Sequence, residues 1–243
     1  VTTLLEVDGL TKRFGGVTAV DACSFSVPTG SVTALVGPNG SGKTTAFNLI
    51  TGYSRRDDGV IRFDGNSVRA PDPTRLARRG LTRTFQQARV FADLTLVENM
   101  VAALQQPWRS AFRSAVRPNE RARALELLDE FGLARLAGER AGNLSYGQKK
   151  LLEFAAVLMG EPKLVLLDEP TAGVNPVLVE QIEARIRELN ARGLTFLLVE
   201  HNMNLVMRLC DPVVVLDHGT KLAEGRPDEV RTDARVLDAY LGG

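Results

Sequence analysis

Two stretches of the chain carry residue types at spacings that could act on a phosphate. The first is Gly37-Pro38-Asn39-Gly40-Ser41-Gly42-Lys43-Thr44-Thr45. It follows the apolar, β-branched run Val32 to Val36 and precedes Ala46 to Ile50, so strand, glycine loop and helix come in the order a phosphate-binding loop requires. Gly37, Gly40 and Gly42 let the backbone take positive φ and bring successive N–H groups onto phosphate oxygens, toward which the helix dipole also points. Lys43 would reach the β- and γ-phosphates. The Thr44 hydroxyl would bind Mg²⁺, with Thr45 supporting the phosphates beside it. The second stretch is Leu164-Val165-Leu166-Leu167-Asp168-Glu169-Pro170, an apolar strand ending in two carboxylates. Alternate strand residues face opposite sides, so the two acids divide the labour. Asp168 would hold Mg²⁺ through water. Glu169 would accept a proton from, or orient, the water that attacks a γ-phosphate. The plain alternatives are a glycine-rich turn and a solvated acidic turn.

Two further groups could contact a nucleotide. Ser145 and Gln148, in Asn143-Leu144-Ser145-Tyr146-Gly147-Gln148, have the spacing of a capping box for a helix expected to open near Lys149. That helix start is also an anion site, with Gly147 permitting close approach. Phe14, expected in the turn Lys12 to Gly16, is either a scattered surface ring or one that stacks on a base.

The remaining chain has to position these groups. Leu4–Val7, Ala19–Val27 and Val60–Phe63 are short β-rich segments that predict a small antiparallel sheet bracketing the phosphate loop. From about 71 to 160 the β-branched runs thin out and helical patterns take over. There Ala124, Leu125, Leu128 and Phe131 form one apolar stripe, and Leu151, Phe154, Ala155 and Leu158 form another. Residues 107–123 are locally basic with two prolines and read as a solvated loop. After Pro162 the α/β pattern returns. Asn175 caps a helix with Pro176 in its first turn, an apolar stripe of Val179, Ile182, Ile186 and Leu189, and Gly193 at its end. A buried strand follows at Thr195–Val199. A hairpin through Asp217-His218-Gly219-Thr220 and a helical tail from Pro227 close the chain.

Composition narrows the function. Of 243 residues 44% are hydrophobic, and 30 basic residues stand against 29 acidic, so nothing marks the whole chain as a nucleic-acid binder. Cys23 and Cys210 are far apart and suit free buried thiols. No apolar run approaches the ~20 residues of a membrane span, and the first residues lack a signal-peptide profile. The expected location is cytoplasmic.

With these motifs in place, the chain resembles along its whole length the nucleotide-binding subunit of an ATP-binding cassette (ABC) transporter. Besides GPNGSGKT and LLDEP, it has LSYGQ at the position of the family's LSGGQ signature. Gln86 follows Thr84-Phe85 where the family has its glutamine loop, and His201 follows LLVE where it has its switch histidine. The resemblance implies an α/β fold, a P-loop NTPase core with an antiparallel β subdomain and an inserted α-helical subdomain at about 71–160 within one 1–243 domain. It implies ATP and Mg²⁺, with Gln86 at the metal or the water and His201 at the γ-phosphate. It also implies a head-to-tail pair of subunits in which Ser145, Gly147 and Gln148 act on the partner's ATP, and an adenine against Phe14. Two positions depart from the pattern: Tyr146 replaces the first signature glycine, and Asn175 stands where most members carry Asp. His218 matches no motif.

A finer resemblance, in LTRTFQQARVFADLTLVENM, LSYGQKK, DEPTAGVNP, VEHNMNLVM and AYLGG, is to ATPases of branched-chain amino acid importers. It implies a second ATPase subunit, usually a different homologous chain though a homodimer is possible, and two integral membrane permease subunits. It further implies an extracytoplasmic substrate-binding protein acting indirectly, and attachment to the inner face of the membrane. Val90, Phe91 and Leu94 are then candidates either for a groove that takes a short helix of the membrane partner or for core packing. A soluble ABC ATPase in DNA repair, translation or metal-cluster assembly, and a lipid exporter, are the competing readings.

Overall fold

The computed structural model describes residues 2–104 and 116–241. The chain opens with two long strands, β1 (Thr3–Phe14) and β2 (Val17–Pro28), followed by the short buried β3 (Val32–Val36). Helix α1 (Lys43–Thr51) follows the glycine loop directly, and β4 (Asp58–Phe63) and β5 (Asn66–Ser67) follow it. Asp72 accepts the Arg75 N–H and Pro73 takes the first turn of α2 (Pro73–Arg78), which leads into β6 (Leu81–Arg83). Three helices then succeed one another: α3 (Leu96–Ala102), α4 (Pro118–Glu130) and α5 (Tyr146–Val157). The rest alternates: β7 (Leu164–Asp168), α6 (Pro176–Ala191), β8 (Thr195–Val199), α7 (Met203–Leu209), β9 (Val213–Asp217), β10 (Thr220–Gly225), α8 (Pro227–Thr232) and α9 (Ala234–Leu241).

The strands form two sheets. One is antiparallel, in the order β2-β1-β4-β5. The other has the order β10-β9-β3-β8-β7-β6, with β9, β3, β8, β7 and β6 parallel and β10 antiparallel at one edge. Because side chains alternate along a strand, this larger sheet feeds two separate cores. Ala34, Val36, Val165, Leu167, Phe196, Leu198, Val213 and Val215 pack toward α3–α7. Leu35, Leu164, Leu166, Leu197, Val199, Val214 and Leu216 pack toward α1 and the antiparallel sheet. Both faces being covered, β3, β7 and β8 read as nearly continuous apolar runs rather than alternating ones. Each fully buried Val, Leu, Ile or Phe contributes about 1.5–3 kcal/mol relative to exposure.

Several local expectations shift. The signature helix starts at Tyr146 rather than near Lys149, because Ser145 is itself the cap. Gln148 N–H donates to Ser145 Oγ (3.3 Å), and Ser145 N–H donates to Gln148 Oε1 (2.9 Å). Residues 118–123 of the expected loop are the first turns of α4, opened by Pro118 and by Arg117 N–H donating to Glu120 Oε2 (3.1 Å); residues 107–115 lie outside the described residues. On α4 the buried face is Ala124, Leu127 and Leu128, with Leu125 only half-buried. Leu81–Arg83, within the stretch expected to be helical, pairs with β7 as the edge strand of the large sheet. Phe14 ends β1 instead of lying in the turn, since Arg13 and Phe14 still pair with Thr18 and Val17. The helix capped by Asn175, the β9–β10 hairpin and the helical tail form as expected, and His218 (φ 45) with Gly219 (φ 83) makes the hairpin turn.

Candidate nucleotide site

The candidate residues gather where parallel strands end. Val199 of β8 is in register with Leu35 of β3 on one side and Asp168 of β7 on the other. Gly37, Glu169 and His201 therefore leave the sheet at nearly one level, with Gln86 three residues beyond the end of β6. In open α/β sheets ligands bind in the crevice beyond these carboxyl ends.

Gly37 has φ 149 and Gly42 φ 99. A Cβ on either would collide with backbone, that of Leu216 or of Ala19, so only glycine fits between the loop and its neighbours. Ser41 N–H donates to the Pro38 carbonyl (3.2 Å), while Asn39 and Gly40 at the tip are exposed. Lys43, 5% exposed, lies back over the loop and donates from Nζ to the carbonyls of Gly37 (2.8 Å) and Pro38 (2.8 Å) and to Ser41 Oγ (3.4 Å). Burial holds its pKa below the ordinary lysine value, and Glu169 and Asp168 oppose that shift. Thr44 is exposed at the start of α1 and Thr45 is half-buried behind it.

The Glu169 carboxylate is held from two sides. Gln86 Nε2 donates to Oε2 (2.9 Å), and His201 Nε2 lies 2.8 Å from Oε1. An ionised carboxylate only accepts, so with Glu169 charged the proton sits on His201 Nε2. Glu169 has φ 47, a left-handed conformation that side chains rarely adopt and that clusters at functional sites. Its N–H donates to Val199 O (2.9 Å), and Lys150 Nζ donates to its carbonyl (2.7 Å). Asp168 has a partner of its own. Its Oδ2 pairs with Arg83 Nη2 at 2.6 Å, both side chains being nearly buried, and Arg83 Nη1 reaches Asn48 Oδ1 (2.7 Å) on α1.

Mg²⁺ fits these donors. Among the described residues no cluster of three acidic, histidine or cysteine side chains could cage a metal alone. A hydroxyl from Thr44 and one carboxylate from Asp168 instead match an ion that keeps waters and nucleotide oxygens in its shell. Gln86 spends its amide N–H on Glu169, which leaves its amide oxygen as a donor.

The other candidates lie apart. Phe14 is 53% exposed at the end of β1, with Lys12 Nζ 5.3 Å from its ring centroid. Ser145 and Gln148 are engaged in their own cap, and Gly147 packs so closely on Leu178 that a Cβ would collide with it. Among the described residues no hydrogen bond joins these three to the phosphate loop. Asn175, where Asp was the family pattern, still caps α6 by accepting the Leu178 N–H (2.9 Å). Val90 packs against the helical core, Leu94 is half-buried, and Phe91 is 62% exposed.

Sequence reasoning misses four side chains that hold the site: Arg83, Lys150, Glu153 and Glu200. Glu200, 3% exposed, accepts the Thr171 hydroxyl (2.6 Å) and N–H (3.0 Å) on one oxygen and the His201 N–H (3.1 Å) on the other, tying the loop after Glu169 to the histidine. The available signal is a charge where the surrounding pattern is apolar: Lys150 and Glu153 interrupt the stripe of Leu151, Phe154 and Ala155.

The fold and this crevice define a P-loop nucleotide-binding α/β protein. The ABC transporter family model matches residues 20–172, and a model described as branched-chain amino acid ATP-binding cassette transporter matches residues 220–243. The chain is similar to the high-affinity branched-chain amino acid transport ATP-binding proteins BraF of Pseudomonas aeruginosa, at 40% identity, and LivG of Salmonella typhimurium, at 38%. Each similarity covers 98% of this chain and 98% of the relative. Among solved structures, a nucleotide-free ATP-binding cassette from an ABC transporter superposes with a TM-score of 0.90 at 34% identity, and an ADP conformation of such a cassette does so with 0.90 at 35%. Both similarities cover 100% of each chain. The chain belongs to the ABC transporter family, as its ATP-hydrolysing, nucleotide-binding subunit. The relatives support transport over the DNA-repair, translation, metal-cluster and lipid-export readings.

Proposed function

We propose that this subunit powers an importer of branched-chain amino acids, hydrolysing ATP with Glu169 as general base. The observation that carries the catalytic assignment is the Glu169 carboxylate held between Gln86 and His201 at hydrogen-bond distance, on the strand end beside the phosphate loop. Glu169 takes the proton of the attacking water as the new O–P bond forms and the bond from the γ-phosphorus to the bridging oxygen breaks, ADP leaving with that electron pair. His201 Nε2 and Gln86 keep water, carboxylate and γ-phosphate in line. Lys43 and the loop N–H groups neutralise the charge that develops on the phosphates. Thr44, Asp168 and Gln86 would hold Mg²⁺, which when bound would supply positive charge to offset that of the phosphates.

Phe14 stacks on adenine, and Ser145, Gly147 and Gln148 complete the nucleotide site of a second subunit. This agrees with a dimeric, ADP- and phosphate-bound cassette structure similar to this chain at 26% identity, TM-score 0.79. Within the stretch at about 71–160, the helical part that follows β6 acts as an inserted subdomain of the 1–243 unit, carried by the loop that contains Gln86. A homologous ATPase chain completes the pair, permease subunits anchor it at the inner membrane face, and an extracytoplasmic binding protein delivers the cargo. No helix among the described residues is long and apolar enough to cross a membrane. The cargo reading rests on the relatives' names and on the model matching 220–243.

Glu169→Gln tests the chemistry: with the partner subunits present, turnover falls by ~10²–10⁴ while ATP binding persists. Hydrolysis at the wild-type rate refutes the assignment. Leucine, isoleucine or valine stimulating the ATPase of the reconstituted complex tests the cargo, and stimulation by an amide or urea alone refutes it.

A further inference from the structure

One face of α5 reaches both loops that carry the reacting groups. Tyr146, Lys150 and Glu153 are spaced i, i+4 and i+7, which places them in line on a helix. Glu153 is 7% exposed, and its Oε1 accepts two backbone N–H groups, from Phe85 (3.3 Å) and from Arg89 (3.2 Å). A single carboxyl oxygen thus ties the two ends of the loop 85–89, whose second residue is Gln86. The Arg89 guanidinium, 3.6 Å from the centroid of the Phe85 ring, closes the same loop on its other side. Lys150, 5% exposed, donates to the carbonyl of Glu169 (2.7 Å), the residue with the left-handed backbone. Tyr146 sits over the next turn of chain: its hydroxyl donates to the Gln86 carbonyl (3.5 Å), and its ring lies against Gly173.

Burying a lysine and a glutamate three residues apart is expensive unless each is satisfied. Among the described residues these two form no ion pair with each other. Each is spent on the backbone of a loop, Glu153 on the one bearing Gln86 and Lys150 on the one bearing Glu169. Packing alone would be served better by apolar side chains at both positions.

We propose that α5 positions the hydrolytic machinery of its own chain, Glu153 setting the place of Gln86 and Lys150 holding Glu169 in its strained conformation. Both are positioning residues: Glu153 acts through the backbone N–H groups of Phe85 and Arg89, and Lys150 through the Glu169 carbonyl. The inference rests on the roles given above to Gln86 and Glu169.

The test uses the full transporter and compares Glu153→Leu, Glu153→Gln, Gln86→Ala and the double variant Glu153→Leu/Gln86→Ala. Glu153→Leu should lower kcat between about tenfold and a hundredfold, the loss that follows when a reacting group drifts by about 1 Å. Binding of a fluorescent ATP analogue should stay within about twofold, because the phosphate loop is untouched. Glu153→Gln, which keeps an acceptor oxygen for both N–H groups, should recover most of the rate. In the Gln86→Ala background Glu153→Leu should cost nothing further, since the loop then has nothing left to position. Multiplicative losses in the double variant, or a Gln variant as slow as the Leu variant, would overturn the proposal and leave Glu153 as a folding residue. A wild-type rate in Gln86→Ala would instead refute the underlying role of Gln86. Should Glu153→Leu not fold, Lys150→Met gives the second reading through Glu169: the same fall in kcat at unchanged analogue affinity supports the proposal, and an unchanged kcat overturns it.

Discussion

Arg83 offers the sharpest test of how the site is built. Its guanidinium pairs with Asp168 at 2.6 Å, with 6% and 5% of the two side chains exposed, and also donates to Asn48 Oδ1 (2.7 Å) and Thr51 Oγ1 (3.3 Å) on α1. Around it stand the rings of Phe47, Tyr53 and Phe85, with centroids at 5.5, 5.9 and 5.3 Å. Arg83→Met keeps an apolar filler among the rings and leaves Asp168 buried without its counter-charge. Breaking a buried pair from one side costs about 3–5 kcal/mol, and at roughly 2–4 °C per kcal/mol for a chain of this size the melting temperature should fall by ~6–20 °C. Arg83→Lys should recover only part of this, because one compact ammonium cannot serve Asp168, Asn48 and Thr51 together. Replacing both charges in Arg83→Met/Asp168→Asn should restore stability toward wild type while hydrolysis stays lost. Urea unfolding with and without nucleotide measures all three. A loss below about 1 kcal/mol in Arg83→Met, the size of an exposed pair, would refute the reasoning, as would a double variant no more stable than the single one.

Phe14→Ala should weaken ATP binding by roughly 1–3 kcal/mol if the ring stacks on the base, read by fluorescent-nucleotide titration, and unchanged affinity would return Phe14 to an ordinary surface ring. Phe91, at 62% exposure, cannot be a core residue, so Phe91→Ala should leave melting nearly unchanged and reduce assembly with the membrane subunits or transport; normal assembly and transport would remove it from that surface. Burial lifts the Glu153 carboxyl from 4.5 to about 7, against the opposing pull of two backbone N–H groups, Lys150 and Arg89. The folded chain therefore keeps a proton that the unfolded chain has released, and stability should fall as pH rises from ~4.5 to ~7, by up to about 3 kcal/mol. Glu153→Gln should flatten that slope in pH-dependent unfolding, and an identical slope in the variant would contradict the assignment.

What the sequence makes legible is what it encodes within a few residues. The glycine loop, the acids at the end of β7 and the capping box of α5 each place their partners within one turn or one strand end, so residue type and spacing suffice. The two-period alternation and the helical stripes likewise announce the large sheet and the helices around it. The clamps on the site have no such local sign. Arg83 and Asp168 are 85 residues apart, and Glu153 and Phe85 are 68 apart. Nothing near either end names the other. Boundaries moved for a related reason: a cap fixes a helix start more tightly than its apolar stripe does, as Ser145 does for α5 and Pro118 with Glu120 for α4. Leu81–Arg83 escapes notice as a strand because three residues carry no period, and only the facing β7 makes them one.

The strand that launches the phosphate loop lies between β8 and β9, so both of its hydrogen-bonded neighbours come from the last fifty residues of the chain. A ribosome that has released the first 190 residues has delivered the whole glycine loop, both acids and the signature helix. It has not yet delivered a single partner for β3. Pairings over so long a separation close late and slowly. Binding competence therefore waits for β8 and β9, and a nascent or truncated chain that stops short of Thr195 carries the glycine loop, both acids and the signature helix but neither His201 nor the sheet that aims them.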